Sequence, residues 1–200
     1  MRVPQAFLTK FRAAFVGVSL LMLGMQPSYA VETLPRQVKP PENLQAAARH
    51  NNRGVELAEQ GKFSEAIAAF NQAIEIYPQY ENAHNNLGLA FGNLQQYTQA
   101  ENAFKHALAI DPHNFETYNN LGIALGSQGK FADAIAAFRQ AIQLKPNDPT
   151  SHQNLGVAFW SQGNLPEAQA SLHKAKDLYS TQNNPAGINS VEQILQQMER

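Results

Sequence analysis

Thirty-four residues separate Pro78 from Pro112, and 34 more lead to Pro146. The same step joins Gly54, Gly88, Gly122 and Gly156, and likewise Ala66, Ala100, Ala134 and Ala168. It recurs in Phe70, Phe104, Phe138 and Leu172, in Ala73, Ala107, Ala141 and Ala175, and in Phe63, Tyr97, Phe131 and Leu165. Columns in register at a fixed period mark an array of like units, here 47–80, 81–114, 115–148 and 149–182. Each unit of such an array is too small to bury its own apolar face, so neighbours must stack.

The apolar spacing within a unit is helical. In the third unit Thr117, Leu121, Ala124, Leu125 and Gln128 follow i, i+4, i+7, i+8 and i+11, one stripe of a helix. Ala134, Ile135, Phe138, Ala141, Ile142 and Leu144 make a second stripe, and Gly129-Lys130 separates the two. The Asp111-Pro112 and Lys145-Pro146 steps stop the second helix before the next unit begins. Gly122 and Ala134 lack bulk, which lets the two helices approach closely, and Phe138 fills the space between them.

A Leu-Gly pair, a second glycine mid-unit, then Ala, an aromatic, Ala and Pro over 34 residues resembles the tetratricopeptide repeat. The resemblance covers about two-thirds of the chain. It implies an all-α fold, a right-handed helical-repeat solenoid of four helix–turn–helix units. The fourth place of the unit, usually Trp or another aromatic, is Tyr118 once and His50, His84 and His152 elsewhere. Arg53 stands for the Leu of the first unit and Ser180 for the Pro of the last, departures expected where terminal units cap a stack.

After Tyr179, residues 180–184 read as a loop, and Pro185 opens a last helix within 183–200. Ile188, Val191, Ile194, Leu195 and Met198 fall on one side of it and Gln193, Gln196, Gln197 and Glu199 on the other. This is the pattern of a capping helix; dimerisation through it is the alternative. At the other end, Arg2, Lys10 and Arg12 precede an apolar run over 13–25, followed by Ser28-Tyr29-Ala30. A basic start, a short apolar run and small residues at −3 and −1 describe a secretory signal over 1–30. The run is short of the roughly 20 residues that span a bilayer. Cleavage after Ala30 then places the mature chain in the periplasm, in a thylakoid lumen or outside the cell; the alternative is a membrane anchor formed by 13–25. Pro35, Pro40 and Pro41 make 31–46 an extended linker.

Composition removes several functions. There is no Cys, which excludes a disulfide scaffold, a thiolate metal site and a Cys nucleophile. Beyond residue 30 twelve Lys and Arg face 16 acids, a balance of −4 that offers nucleic acid no basic face. Nothing resembles a phosphate loop, a nucleophile–base pair or a catalytic carboxylate pair, and no small-molecule substrate is evident. The place-four histidines stand alone, a full unit apart, whereas metal ligands must converge within about 2 Å of one ion. No enzyme activity, cofactor or metal is therefore expected.

One feature exceeds what packing needs. With the repeated glycine taken as place eight, place six is Asn52, Asn86, Asn120 and Asn154, and place five is Asn51, Asn85, Asn119 and Gln153. Asn is a poor helix former, so such a row is not there to make helix. Its amide offers an acceptor and two donors, enough to grip both groups of a peptide unit. The row is similar to the asparagine ladder in the repeat domain of the O-linked N-acetylglucosamine transferases, and that resemblance implies binding of a peptide backbone by the place-six residues along a concave groove. Asn85 and Asn119 would assist, and the place-nine aliphatics, Leu89 and Ile123 among them, would floor the groove. The second reading is that these amides bond the neighbouring repeat and set its register. Chaperone-binding members of the family hold a C-terminal carboxylate with Lys and Arg on this face; here places two, five, six and nine carry no cation. The expected function is an exported, non-enzymatic adaptor for an extended peptide or protein segment. The rivals are an assembly factor that self-associates through the convex face and last helix, and an accessory domain serving an enzyme on another chain. Any membrane contact would run through an uncleaved signal segment.

Overall fold

A computed structural model describes residues 42–199. The signal segment expected over 1–30 and the linker up to residue 41 lie outside the described residues. All regular structure among the described residues is helical: α1 Glu42–Glu59, α2 Phe63–Ile76, α3 Glu81–Asn93, α4 Tyr97–Ile110, α5 Phe115–Ser127, α6 Phe131–Leu144, α7 Pro149–Gln162, α8 Leu165–Thr181 and α9 Pro185–Met198. They fall into two units, 42–113 with α1 to α4 and 114–199 with α5 to α9. Within each unit helices pair as hairpins, α1 with α2, α3 with α4, α5 with α6 and α7 with α8. Each is a helix–turn–helix repeat of the expected kind.

The hairpins close on the repeated glycines. A Cβ built on Gly88 would lie 2.5 Å from Cε1 of Phe104, and one on Gly122 equally close to Phe138. Phe70 stands in the same way over Gly54. These three rings are the largest fully buried side chains. The alanines flanking them, Ala66, Ala100 and Ala134, are fully buried, so bulk on one helix answers its absence on the other. In the fourth hairpin Leu172 takes the ring's place over Gly156.

Turn chemistry sets the hairpin corners. Gly61, Gly129 and Gly163 adopt left-handed backbone at the same place of three units, with φ of 75°, 78° and 89°. The second unit puts Gln95 there at φ 59°. Side-chain caps start α5, α7 and α9. Asn114 accepts from the Thr117 N–H, Asp148 from Ser151 N–H and Asn184 from Gly187 N–H.

Two boundaries differ from the sequence reading. Helix α1 begins at Glu42, inside the segment expected to be extended to 46, because Pro40-Pro41 ends just before it and Leu44, Ala47 and Ala48 pack with Ala73, Tyr77, Tyr80 and Ala83. Helix α8 runs on to Thr181, which shortens the expected loop to Gln182–Asn184, because Leu178 and Tyr179 are buried and hold the last turn. Helix α9 then lies against α8 with Val191 and Ile194 buried, and Lys176 pairs with Glu192 at 2.6 Å. No helix among the described residues is long and apolar enough to cross a membrane.

Candidate peptide-binding face

The asparagines of places five and six lie on the first helices of the hairpins, and the structure separates their roles. Asn86 Nδ2 donates to Asn51 Oδ1 at 2.9 Å, joining α3 to α1 through two fully buried amides. Asn119 Nδ2 donates to Ser151 Oγ at 2.6 Å, joining α5 to α7. Ser151 Oγ in turn donates to the cap carboxylate of Asp148 at 2.6 Å. Gln153 Nε2 reaches Ser190 Oγ at 3.3 Å, joining α7 to α9. Within each unit a polar seam thus runs from one first helix to the next, the second of the two readings for these amides. Of the place-six residues, Asn52 is exposed, Asn120 half-buried, and Asn86 and Asn154 buried. Asn85 and Asn119 are buried as well. At place nine Leu89 is 1% exposed and Ile123 half-buried, so Leu89 belongs to the core.

The seam is incomplete. In residues 42–113 the donor Nδ2 of Asn51 and the acceptor Oδ1 of Asn86 are buried without a hydrogen-bond partner among the described residues. In residues 114–199 the acceptor Oδ1 of Asn119 and the donor Nδ2 of Asn154 are in the same condition. Buried polar groups are almost always paired, so a donor and an acceptor left over in each unit call for an explanation.

The place-four histidines serve the join between hairpins. His84 Nε2 lies 2.9 Å from the carbonyl of Pro78, and His152 Nε2 lies 2.9 Å from that of Pro146. A carbonyl only accepts, so Nε2 carries the proton in both rings. Each ring is half-buried and ties its helix to the proline that ends the preceding hairpin. The signal was present as a Pro followed by a His six residues on, and periodicity alone does not expose it. Burial pushes the His84 pKa below its ordinary value; the Pro78 bond opposes this, and the neighbouring His106 adds to it. His106 and Ser151 leave no mark in the repeated columns, because neither recurs in the other units.

The models of three tetratricopeptide repeat families match the chain, at residues 54–95 and 124–163, at 81–114 and at 103–136. Together they cover 54–163 without a gap. The chain belongs to the tetratricopeptide repeat family. Among curated proteins none matches it. Among solved structures, this TPR protein resembles MamA at 23% identity, over 70% of this chain and 84% of that one, with a TM-score of 0.66. It is similar to the MamA 41-end structure from Desulfovibrio magneticus RS-1 at 22% identity, covering 88% and 97%, with a TM-score of 0.65. The second TPR domain of human RPAP3, solved in complex with the HSP70 peptide SGPTIEEVD, matches at 22% identity over 58% of this chain and 97% of that domain, with a TM-score of 0.57. Likeness at this identity speaks for the fold.

Within the TPR frame α9 takes the seat that a first helix of a further hairpin would occupy, since Gln153 of α7 bonds to it. The side it turns away from the stack carries Asn189, Gln193, Gln196 and Gln197, all exposed. A polar outer side ends the apolar interior, as a terminal helix of a stack must.

Proposed function

We propose that this TPR protein is a non-enzymatic adaptor that binds an extended segment of another protein along the first helices of its hairpins, and that it does so outside the cytoplasm. The row of amides carries the reading, with Asn52 exposed and Asn120 half-buried on the first helices. A peptide group brings one carbonyl acceptor and one N–H donor, and an Asn amide can meet both. The RPAP3 domain, of the same fold, is solved with a peptide. The acidic end of that peptide finds no counterpart here, because places two, five, six and nine carry no cation; the segment this chain takes is an internal one. The polar outer side of α9 favours the adaptor over self-association through the last helix. Export rests on the basic start and the Ser28-Tyr29-Ala30 triplet, with the mature chain starting at Val31.

Asn154 is the clean probe of this reading. Its Nδ2 holds no partner, so Asn154→Ala should leave the melting temperature unchanged or slightly higher, Ala being the better helix former by a few tenths of a kcal/mol. Affinity for a segment captured from envelope extract should fall about tenfold, the worth of about 1.4 kcal/mol. Melting and affinity are read on one preparation. An earlier melt with affinity per folded molecule unchanged would assign Asn154 to the stack and remove the ladder. Mass spectrometry of the native protein tests export separately: Val31 as the N-terminus is the expected result, and an intact Met1 in the membrane fraction refutes cleavage.

A further inference from the structure

His84 has a neighbour that the repeat does not explain. His106, on α4, occupies a place held by Gln72, Gln140 and Lys174 in the other units. Its ring centroid lies 5.7 Å from that of His84, with the planes inclined by 31°. Both rings line a cavity of about 320 Å³ together with Ile74, Pro78, Gln79, Ala109 and Ile110, wholly within residues 42–113. The Pro78 carbonyl holds the proton on His84 Nε2, which leaves Nδ1 of the neutral ring with a bare lone pair. A backbone carbonyl that fixes the tautomer from behind is the usual second partner of a metal-bound imidazole. Distance agrees as well. An ion at about 2.0–2.1 Å from one nitrogen of each ring places the two centroids at most about 6.4 Å apart, and 5.7 Å falls inside that limit.

We infer that His84 and His106 form a two-point site for a divalent late transition-metal ion on the second hairpin, with Pro78 as the positioning group. Two imidazoles select Cu(II), Ni(II) and Zn(II) over the hard cations, and Cu(II) binds such a pair most tightly. No group of three or more His, Cys, Asp or Glu side chains that could hold a metal exists among the described residues. Water therefore completes the coordination, and Gln79 also lines the cavity. The ion would join α3 to α4 and, through Pro78, to the end of α2. His152 is the internal control. It makes the same bond to Pro146, yet Lys174 stands where His106 would be.

The test is a titration of the full, untagged chain with Cu(II), followed by electron paramagnetic resonance and thermal melting. One ion per chain bound through two imidazole nitrogens, with a higher melting temperature, is the expected result, since a ligand of the native state alone stabilises it. His106→Gln leaves the Pro78 bond in place and should weaken binding at least about tenfold, in the range that lost metal partners cost. His152→Gln should bind as the parent does. If His106→Gln binds Cu(II) with the same affinity and the same two-nitrogen signal, the site is overturned. A parent chain whose melting and spectrum do not respond to excess Cu(II) overturns it as well.

Discussion

Replacing Gly88 by Ala sets two physical effects against each other. Gly88 lies in mid-helix in α3, where Ala is favoured over Gly by about 1 kcal/mol. On propensity alone the change stabilises. Packing points the other way: the new methyl would lie 2.5, 2.7 and 2.8 Å from Cε1, Cδ1 and Cζ of Phe104, where carbon atoms prefer about 3.5–4.0 Å. The ring cannot swing aside, because Phe104 is 1% exposed with Ala100, Ala103 and Ala107 buried beside it. The helices must then part by something like an ångström. Overpacking of this kind costs about 1–3 kcal/mol, and contact with three ring atoms places it in the upper part of that range. The net loss is about 1–2 kcal/mol, or roughly 2–8 °C in melting temperature at about 2–4 °C per kcal/mol for a domain of this size. Circular dichroism melts of the parent and of Gly88→Ala decide the matter. A variant that melts at or above the parent would show that the hairpin is loose enough to accept a methyl, and would refute the argument that glycine and ring close each repeat.

Gln95→Gly should raise stability by about 0.5–1 kcal/mol in chemical denaturation, since Gln95 holds a left-handed backbone where three sister units use glycine; no gain would mean that the Gln95 side chain repays its strain. Deleting 183–200 should lower the melting temperature or cause aggregation in light scattering, because Val191 and Ile194 leave a buried seat and each aliphatic is worth roughly 1.5–3 kcal/mol; a monomer that melts like the parent would contradict the capping role. Because the folded-state pKa of His84 is lowered, the unfolded chain takes up the proton first as pH falls below the ordinary value of 6.5. Stability should therefore decline below that pH, and His84→Gln should flatten the decline in melts between pH 7.5 and 5.5.

The fold was legible because each repeated column is one end of a contact. Gly88 and Phe104 recur together because neither is tolerable without the other, and the period carries that pairing into the sequence. Pro and Gly likewise mark corners whose backbone angles they alone accept easily. Joins between hairpins were less legible. Whether Asn86 turns to a groove or to Asn51 depends on how far one hairpin is rotated against the next, and a helical wheel holds no such angle. Its bond to Asn51 spans 35 residues, one more than the period, so aligned columns hide it. Leu89 shows the same limit: a place-nine aliphatic reads equally as groove floor or core, and its burial is settled by neighbours outside its own helix. Contacts made once, such as Ser151 with Asn119 or His106 with His84, leave no periodic trace.

The polar outer side of α9 bears on the length of the array. The fourth hairpin departs from its sisters at Leu165, Leu172 and Ser180, yet it still offers a face on which a further helix packs. Helix α9 supplies the stop: it occupies the next first-helix seat, takes the seam bond of Gln153 on Ser190, and then presents amides where a second helix would need an apolar surface. A capping helix of this kind would write repeat number outside the repeats themselves. A duplication of 34 residues upstream of residue 183 would lengthen the array and leave its end intact, whereas a drift of Gln193 or Gln197 to Leu would leave it open-ended.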